Sequence, residues 1–445
     1  MKLKISNFAM IKKAEIEIDG ITVIAGHNNT GKSTIGKVLF SLFNSLHDIE
    51  KKVYQKRKDE IMEVLYPNIR NYIEHKTTVE KNIDVSNYRI LSNRITVEIM
   101  NSIVDPTEDS LDNEWLSKII SMVFKKYDLI IDENSLIEIL ELVLDKISST
   151  VKLSDNLITR EIISRYFDII FSGQINCLIE ESSEAKLELI IKNKTINTFF
   201  INNQCVKYEP TYNIMHEAFY IDNPFIIDEI PNISNRFINY RERGFSDIKN
   251  HIISKLTTNN DIMDGIIDAV IAKEKLEEIY MVLNKVVKGN IVVSGRTMGL
   301  EAKGFSEPIK LTNLSAGLKS FVIIKMLLER GILKEKDVLI LDEPEIHLHP
   351  EWQLNYAEII VLLQKIFDLS IIVTTHSSNF LEAIDYFSKK YSIDTRCKYY
   401  LASSEDGINS FQDVTEKLDT IYAQMIEPSV LLDKLKYEME DDEYE

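Results

Sequence analysis

The first forty residues alternate between apolar and polar positions in a pattern that predicts three strands, a loop and a helix. Lys2–Ile5 and Ala14–Ile18 each alternate in character, which is typical of strands with one buried face. Asp19 and Gly20 form a turn signal after the second segment. Ile21–Ala25 is mostly apolar, as strands buried on both faces are. This beginning is typical of an α/β fold.

The segment from about Leu46 to Met215 has the periodicity of helices over much of its length. Two stripes of apolar residues would each lie on one face of a helix, where they indicate ordinary core packing. The stripes are Leu116, Ile119, Ile120, Val123 and Phe124, and Leu136, Ile139, Leu140, Val143, Leu144 and Ile147. In the same segment, Lys186–Ile191 and Thr195–Ile201 flank a polar Asn-Lys pair and predict a β-hairpin.

Strands alternate with helices again in the last part of the chain. Ala218–Ile221 predicts a strand, and the D-N-P sequence at residues 222–224 predicts a turn after it. Asp261–Val287 predicts a helix, and from Ile291 onwards the pattern is strand, helix, strand, helix. The sequence contains no internal repeat and no low-complexity linker. The helical middle is therefore predicted to be an insertion within one α/β domain.

Composition narrows the class of protein. The chain has 445 residues, of which 44% are hydrophobic, so a sizeable core is expected and a wholly disordered chain is excluded. No apolar run is long enough to span a bilayer, and the N-terminus lacks a secretory signal. The three cysteines, Cys177, Cys205 and Cys397, are far apart and odd in number, which favours a reduced, cytoplasmic protein.

Charge adds one restriction on partners. The formal net charge is −18, which argues against a protein that coats nucleic acid along its whole surface. A local basic stripe on one face stays compatible with this value. The acidic residues from Glu438 to Glu445 are interpreted as a solvated end.

Gly26–Ser33 matches the phosphate-loop pattern G-x-x-x-x-G-K-[ST] between a predicted strand and a predicted helix. Glycines at both ends allow the backbone to wrap closely, so that N–H groups and the helix N-terminus face phosphate oxygens. Lys32 is expected to reach the β- and γ-phosphates, and Ser33 to place its hydroxyl on Mg²⁺. The predicted nucleotide-binding residues are Gly26, His27, Asn28, Asn29, Thr30, Gly31, Lys32, Ser33 and Thr34.

A second motif combines a buried strand with two acids. Val338–Leu341 is wholly apolar and is followed directly by Asp342 and Glu343. Ligands bind at the carboxyl ends of strands in parallel sheets, where both acids would lie. Asp342 is expected to hold Mg²⁺, and Glu343 to act as the general base that polarises the attacking water.

Leu314-Ser315-Ala316-Gly317 precedes an apolar helix and resembles the signature sequence of ABC ATPases, whose usual form is L-S-G-G. Read alone, the tetrapeptide is also a common helix N-cap. The resemblance implies that Ser315 and Gly317 bind the γ-phosphate held by the opposite subunit. Ala316 replaces the first glycine, and its small side chain still permits a close approach.

A fourth motif, Ile371–His376, is a buried strand that ends in a polar triplet. It resembles the switch-histidine element of ABC ATPases, in which the imidazole contacts the γ-phosphate. His376 is the residue that matches. The order phosphate loop, signature, acidic pair and histidine is that of the ABC family, which implies an α/β P-loop head that binds ATP and Mg²⁺ and closes as a homodimer or a larger even assembly.

Details narrow the resemblance to the RecF, SMC and OLD ATPases. Asn28 gives the form G-x-N-x-x-G-K, and the sequence D-E-P-E-I-H-L-H-P at residues 342–350 is similar to the acidic pair and following loop of that group. T-H-S-S at residues 375–378 is similar to its switch element. His347 and His349 also invite a metal interpretation, although no third ligand is evident.

The predicted division follows this resemblance. Residues 1–45 are the N-terminal part of the ATPase head, and residues 46–215 are a mostly helical insertion with a small hairpin. Residues 216–230 return to the head as a strand and loop, residues 231–290 form a helical segment, and residues 291–445 complete the head.

Three features of these families are not found. The glutamine loop should follow Ala218–Ile221, where the chain has Asp222 instead, and Asp222 is only a hypothesis for that role. OLD nucleases carry a further nuclease domain, whereas roughly 70 residues follow His376 here. The long heptad arms of SMC proteins are also missing.

Three functions are compatible with these observations. The first is an ATPase that drives or gates a DNA-directed process, such as antiphage defence or DNA repair, with double-stranded DNA and an effector nuclease on a separate chain as partners. The second is an ATP-dependent switch in a toxin–antitoxin or protein-sensing system. The third is the ATPase subunit of a transporter, which the missing glutamine loop disfavours. No membrane contact is expected for the first two.

Overall fold

The computed structural model describes residues 1–77, 87–102, 112–127, 129, 131–177, 184–235, 247–257, 266–294 and 297–442. The chain divides into two compact units. The larger unit consists of Met1–His47 and Ile162–Glu445, and the smaller unit is Asp48–Glu161. The mixed content of strands and helices confirms the predicted α/β class.

The strands of the larger unit form two sheets. They are β1 (Lys2–Phe8), β2 (Ile11–Glu17), β3 (Ile21–Gly26), β4 (Ala185–Ile191), β5 (Lys194–Ile201), β6 (Gln204–Pro210), β7 (Ala218–Ile221), β8 (Asn290–Ser294), β9 (Thr297–Glu301), β10 (Ile309–Lys310), β11 (Val338–Asp342), β12 (Ser370–Thr375), β13 (Cys397–Glu405) and β14 (Ile408–Asp413). Within the described ranges, the main sheet has the order β6-β5-β4-β1-β2-β14-β13-β3-β12-β11-β7, and β10-β9-β8 form a smaller one.

The described ranges also contain helices. They are α1 (Lys32–Leu46), α2 (Ile49–Thr77), α3 (Asn87–Ser102), α4 (Asn113–Lys126), α5 (Glu133–Lys152), α6 (Asp155–Phe171), α7 (Ile248–Thr257), α8 (Ile266–Val286), α9 (Ala316–Glu329), α10 (Pro350–Phe367), α11 (Ser378–Lys390) and α12 (Asp419–Asp442). A 3₁₀ segment, Pro224–Asn235, follows β7. Among these helices, none combines the length and the apolar character that crossing a bilayer demands.

Five neighbouring strands, β13, β3, β12, β11 and β7, run parallel to one another. Their side chains alternate between two cores, because successive residues of a strand point to opposite faces. Leu339 and Leu341 of β11 belong to the core on one face, whereas Val338 and Ile340 belong to the core on the other. The carboxyl ends of these strands meet at one edge, which therefore collects the polar residues that follow them.

The other part of the main sheet is largely antiparallel and contains the predicted hairpin. β4 and β5 pair with one another, and β4 also pairs with β1, so that Leu187 faces Ile5. The predicted division placed this hairpin in an insertion at residues 46–215. In the structure, the separate unit is shorter, because the open edge of β1 is completed by the hairpin and its apolar side chains enter the core of the sheet.

The smaller unit packs four helices, α2 to α5, around its own core. Both predicted stripes lie in that core, the first on α4 and the second on α5. α4 and α5 are each preceded by an aspartate that caps the helix. Asp112 accepts a hydrogen bond from the Trp115 N–H at 2.8 Å, and Asp132 accepts one from the Ser135 N–H at 3.0 Å.

A partly buried charge cluster fixes the amino ends of β7 and β11. Glu217 accepts hydrogen bonds from the His251 ring at 2.8 Å and from Lys255 at 2.6 Å, and its own N–H donates to Asp337 at 3.1 Å. Burial alone would raise the pKa of Glu217, but the hydrogen bonds and charges of His251 and Lys255 outweigh it and lower the pKa to about 2.

We expect Glu217→Gln to lower the free energy of unfolding by about 2 kcal/mol at pH 7, since the ionised carboxylate is stabilised in the folded state. A depressed folded pKa contributes stability above the ordinary value of 4.5, so the deficit shrinks as pH falls from 4.5 towards 2. The measurement is urea unfolding followed by Trp352 fluorescence in a Trp115→Phe background, since the sequence has two tryptophans.

Glu229→Gln is the matched control, because Glu229 pairs with Lys249 at an exposed position. Its effect should stay below about 1 kcal/mol at both pH values. A Glu217→Gln deficit that is the same at pH 7 and pH 3 would show that the carboxylate charge is not its source.

Candidate functional site

The phosphate-loop sequence connects β3 to α1 through two glycines with left-handed backbones. Gly26 has φ +147° and Gly31 has φ +80°, so a side chain at either position would be strained. A Cβ at Gly26 would also lie 2.2 Å from the Ala402 carbonyl oxygen. Thr30 closes the loop by donating its hydroxyl to the His27 carbonyl at 2.8 Å. These constraints hold the loop in the wrapped form that the motif predicts.

Lys32 lies inside this loop and is 4% exposed. Its ammonium donates to the carbonyls of Gly26 at 2.9 Å and His27 at 2.8 Å, and it lies 3.5 Å from Glu343 Oε1. Because an ammonium has three donors, phosphate oxygens at this position would compete with the two carbonyls and with the carboxylate. The lysine is therefore held at the place where the motif requires it.

Asp342 is the point at which three elements converge. Its Oδ1 accepts hydrogen bonds from Ser33 of α1 at 3.0 Å and from the Thr374 hydroxyl of β12. Its Oδ2 accepts one from the Tyr220 hydroxyl of β7 at 2.6 Å. Burial, together with the charge of Asp342, raises the pKa of Tyr220 well above its ordinary value, so the phenol remains a donor.

Glu343 follows Asp342 with φ +50°, an uncommon conformation for a residue with a side chain. Its N–H donates to Thr374, to the carbonyl at 3.1 Å and to the hydroxyl at 3.0 Å. The carboxylate is 24% exposed and faces Lys32 at 3.5 Å and His376 Nδ1 at 3.7 Å. A carboxylate in this position can reach both solvent and a bound phosphate group.

His376 lies directly after β12, next to the acidic pair, and its side chain is 46% exposed. Its Nδ1 lies between two carboxylates, 3.7 Å from Glu343 Oε1 and 3.8 Å from Glu345 Oε1. The structure thus brings together five predicted residues from widely separated parts of the sequence: Lys32, Ser33, Asp342, Glu343 and His376.

Asp222 occupies the position at which the glutamine loop was expected. In the parallel pair β7–β11, Ile221 is opposite Leu341, which makes Asp222 the register neighbour of Asp342. Desolvation by the surrounding protein raises the pKa of Asp222, and the charge of Asp342 adds to the effect. A second carboxylate beside Asp342 at the same strand edge favours a cation between them.

The signature sequence begins α9. Ser315 caps this helix by accepting a hydrogen bond from the Leu318 N–H at 3.4 Å, so the N-cap interpretation of the tetrapeptide is confirmed. A Cβ at Gly317 would lie 2.8 Å from the His347 carbonyl oxygen and 3.2 Å from the Trp352 ring. Gly317 therefore allows α9 to contact the loop that follows Glu343. Ser315 is exposed, and Ala316 is partly exposed.

Sequence reasoning missed four side chains that support the site. Tyr220 and Thr374 bind Asp342, and their only signal was a polar atom in an apolar strand. Glu345 lies in the sequence motif at residues 342–350, but no role is predicted for it from sequence. Lys319 is 2% exposed and donates to Asp228 at 2.8 Å, which links α9 to the 3₁₀ segment after β7.

The residues present fit Mg²⁺, which prefers oxygen ligands from hydroxyls and carboxylates alongside phosphates. Ser33 and Asp342 already face one another at 3.0 Å. In the described ranges, no group of three or more His, Cys, Asp or Glu side chains is arranged to hold a metal ion by itself. His349 instead caps α10 by accepting a hydrogen bond from the Glu351 N–H at 3.4 Å, which gives it a structural role in place of the metal alternative.

Comparison with known families and proteins includes an extended match and a local match. A family model described as an AAA ATPase domain matches residues 1–381. Elongation factor 3B of Saccharomyces cerevisiae is 28% identical over 149 residues, a match that covers 29% of this chain and 13% of the yeast protein. The chain thus corresponds to a small part of that relative's length.

Two solved structures align along most of the chain at low similarity. The SMC head domain from Thermotoga maritima is 12% identical, with 93% of this chain and 98% of that chain covered and a TM-score of 0.37. The Smc head domain with an extended coiled coil bound to the C-terminal domain of ScpA, from Pyrococcus furiosus, is 12% identical, with 95% and 98% covered and a TM-score of 0.37. With scores this low, neither likeness carries an argument about this chain.

We expect Lys32→Ala to weaken the binding of a fluorescent ATP analogue at least about 10-fold, because a buried ammonium at the phosphates contributes a charge-assisted hydrogen bond. Titration of the analogue against each variant measures the dissociation constant. Lys13→Ala removes an exposed lysine of β2 and should leave the constant unchanged. Equal affinities of the two variants would contradict the phosphate-loop assignment.

Proposed function

The chain belongs to the family of AAA ATPase domains, and from this premise we propose that it binds ATP with Mg²⁺ and hydrolyses it at composite sites formed by two copies. The observation that carries the proposal is the convergence of Lys32, Ser33, Asp342, Glu343 and His376 at one edge of the sheet. They come from three separate motifs, the phosphate loop, the acidic pair and the switch histidine, and each has the chemistry that phosphoryl transfer requires there.

In the proposed reaction, the N–H groups at the start of α1 and the Lys32 ammonium bind the β- and γ-phosphates. Ser33 and Asp342 would hold Mg²⁺, which neutralises phosphate charge when bound. Glu343 takes a proton from the attacking water as the new O–P bond forms and the bond to the β-phosphate oxygen breaks. His376 donates to the γ-phosphate, and the products are ADP and inorganic phosphate.

The second copy would complete each site through its signature. Ser315 is exposed at the N-terminus of α9, where a hydroxyl and helix N–H groups can face an anion. The close contact between Gly317 and the loop after Glu343 supports this arrangement, because it connects the signature of one site to the acidic pair of the other. Asp222 is proposed to take the place of the glutamine loop beside Asp342.

For the biological role, we propose that hydrolysis gates a DNA-directed process, with an effector nuclease on a separate chain. The RecF-like and OLD-like form of the phosphate loop and of residues 342–350 supports this proposal. The test is steady-state hydrolysis with and without linear double-stranded DNA at low and moderate salt. Stimulation that fades with salt supports it, and turnover indifferent to DNA favours the protein-sensing alternative.

We expect Glu343→Gln to reduce ATP turnover at least about 100-fold while preserving ATP binding, since only the proton acceptor is lost. The variant should accumulate as an ATP-bound dimer, which light scattering after size-exclusion chromatography measures directly. Glu335→Gln, at an exposed position before β11, is the control and should behave as the unaltered chain does. Full turnover in Glu343→Gln would refute its assignment as the base.

A mixing experiment tests the composite site. Ser315→Arg should bind ATP but lose turnover, because the bulky cation prevents closure. Mixed with Lys32→Ala, it forms heterodimers in which one site has an intact phosphate loop and an intact signature. On the order of a quarter of the original turnover should therefore return at equal concentrations, if the copies exchange at random. A mixture as inactive as its components would contradict a shared site.

A further inference from the structure

Glu345 is a buried carboxylate three residues after Asp342 and is 2% exposed. Its Oε1 accepts hydrogen bonds from the Thr375 hydroxyl and, at 3.2 Å, from the His376 N–H. Its Oε2 is buried and has no hydrogen-bond partner among the described residues. The side chain thus lies behind His376, on the protein side of the imidazole.

Burying a carboxylate is costly, and an apolar side chain of similar size is often the more stable choice at such a position. Burial raises the pKa of Glu345, and the bonds from Thr375, from its own backbone and from His376 oppose the rise. Stability of the loop therefore does not account for a glutamate at this position. The need for a hydrogen-bond acceptor that faces the neighbouring histidine does account for it.

The geometry of the imidazole supports this interpretation. His376 Nδ1 lies 3.8 Å from Glu345 Oε1 and 3.7 Å from Glu343 Oε1, so one ring nitrogen faces two carboxylates. The two carboxylates differ in surroundings, because Glu343 is 24% exposed and lies beside Lys32, whereas Glu345 is enclosed.

We propose that Glu345 is a positioning residue that holds the His376 imidazole through Nδ1, so that Nε2 faces the γ-phosphate and the Glu343 carboxylate is left to the attacking water. The inference rests on the proposed function. An acceptor at Nδ1 fixes the ring orientation, as carboxylates do for histidines in other catalytic sites. With a proton on both ring nitrogens, Nδ1–H donates to Glu345 while Nε2–H donates to the γ-phosphate. Without this acceptor, the imidazole would turn to Glu343 and occupy the base.

The arrangement is rigid for a physical reason. Thr375 and the His376 backbone hold the same carboxylate oxygen that faces the ring, so the acceptor and the histidine are fixed to one strand end. Thr375 also accepts a hydrogen bond from the Ser377 N–H at 3.0 Å, which ties the strand end to the start of α11. The ring can therefore be aimed without a movement of β12.

The test is Glu345→Gln, which preserves the shape of the side chain and removes its charge. We expect kcat for ATP hydrolysis to fall about 10- to 100-fold, while KM and the affinity for the fluorescent ATP analogue change less than about 2-fold. The same substitution in a His376→Ala background should have no further effect on kcat, because a positioning residue has nothing left to position.

The possible results distinguish a wrong role for Glu345 from a wrong proposed function. If Glu345→Gln retains kcat within about 2-fold, or if it lowers kcat equally with and without His376, the proposal is overturned. If the unaltered chain hydrolyses no ATP, or if Glu343→Gln hydrolyses it at the original rate, the proposed function itself is contradicted. If the unaltered chain hydrolyses ATP and Glu343→Gln does not, the result for Glu345→Gln tests the role of Glu345 alone.

A second variant keeps the test valid if Glu345→Gln does not fold. Thr375→Val removes the hydroxyl that holds the carboxylate, and Thr375→Ser retains it as the matched control. We expect Thr375→Val to lower kcat in the same direction and Thr375→Ser to leave it close to the original value. Here too, the loss must vanish in the His376→Ala background, and a loss that persists there would overturn the proposal.

Discussion

The carboxylate of Asp342 is the constraint on which the arrangement of the site depends. Hydroxyls from α1, β7 and β12 all donate to it, and those elements come from the beginning, the middle and the last quarter of the chain. A charged acceptor makes each of these bonds stronger than a neutral pair would be. One side chain therefore fixes the relative positions of the phosphate loop, the strand that leads to Asp222, and the strand that leads to His376.

The sheet makes this convergence possible. Alternate residues of β11 enter different cores, so a shift of the strand by one residue would exchange the two apolar sets and move Asp342 to the wrong face. The register is thus fixed by burial on both sides. The polar residues at the strand ends inherit this precision, and the hydrogen bonds to Asp342 and Glu345 add to it.

Much of this could be predicted from sequence because the motifs are local. The strands around Gly26–Ser33, Asp342 and His376 are predicted as short apolar runs that end in polar residues, and the hairpin is predicted from the two runs at residues 186–191 and 195–201 that flank an Asn-Lys pair. The attachment of that hairpin to β1 could not be found, since strand pairing across more than 180 residues leaves no local signal. Tyr220, Thr374 and Glu345 were missed for the same reason, because their roles follow from partners distant in sequence. The roles of Ser315 and Gly317 across a dimer remain predictions.

The order of strands in the sheet has a consequence for how the molecule comes into being. β3, which carries the phosphate loop, is flanked by β12 and β13, and both are encoded more than 340 residues later. During synthesis the loop therefore emerges early but has neither of its flanking strands beside it until β12 and β13 have been made. Contacts of such long range make folding slow, and the nucleotide site is among the last parts to assemble. A nascent chain that ends before β12 would present the phosphate-loop sequence without either strand that flanks β3, so we expect it to bind ATP poorly.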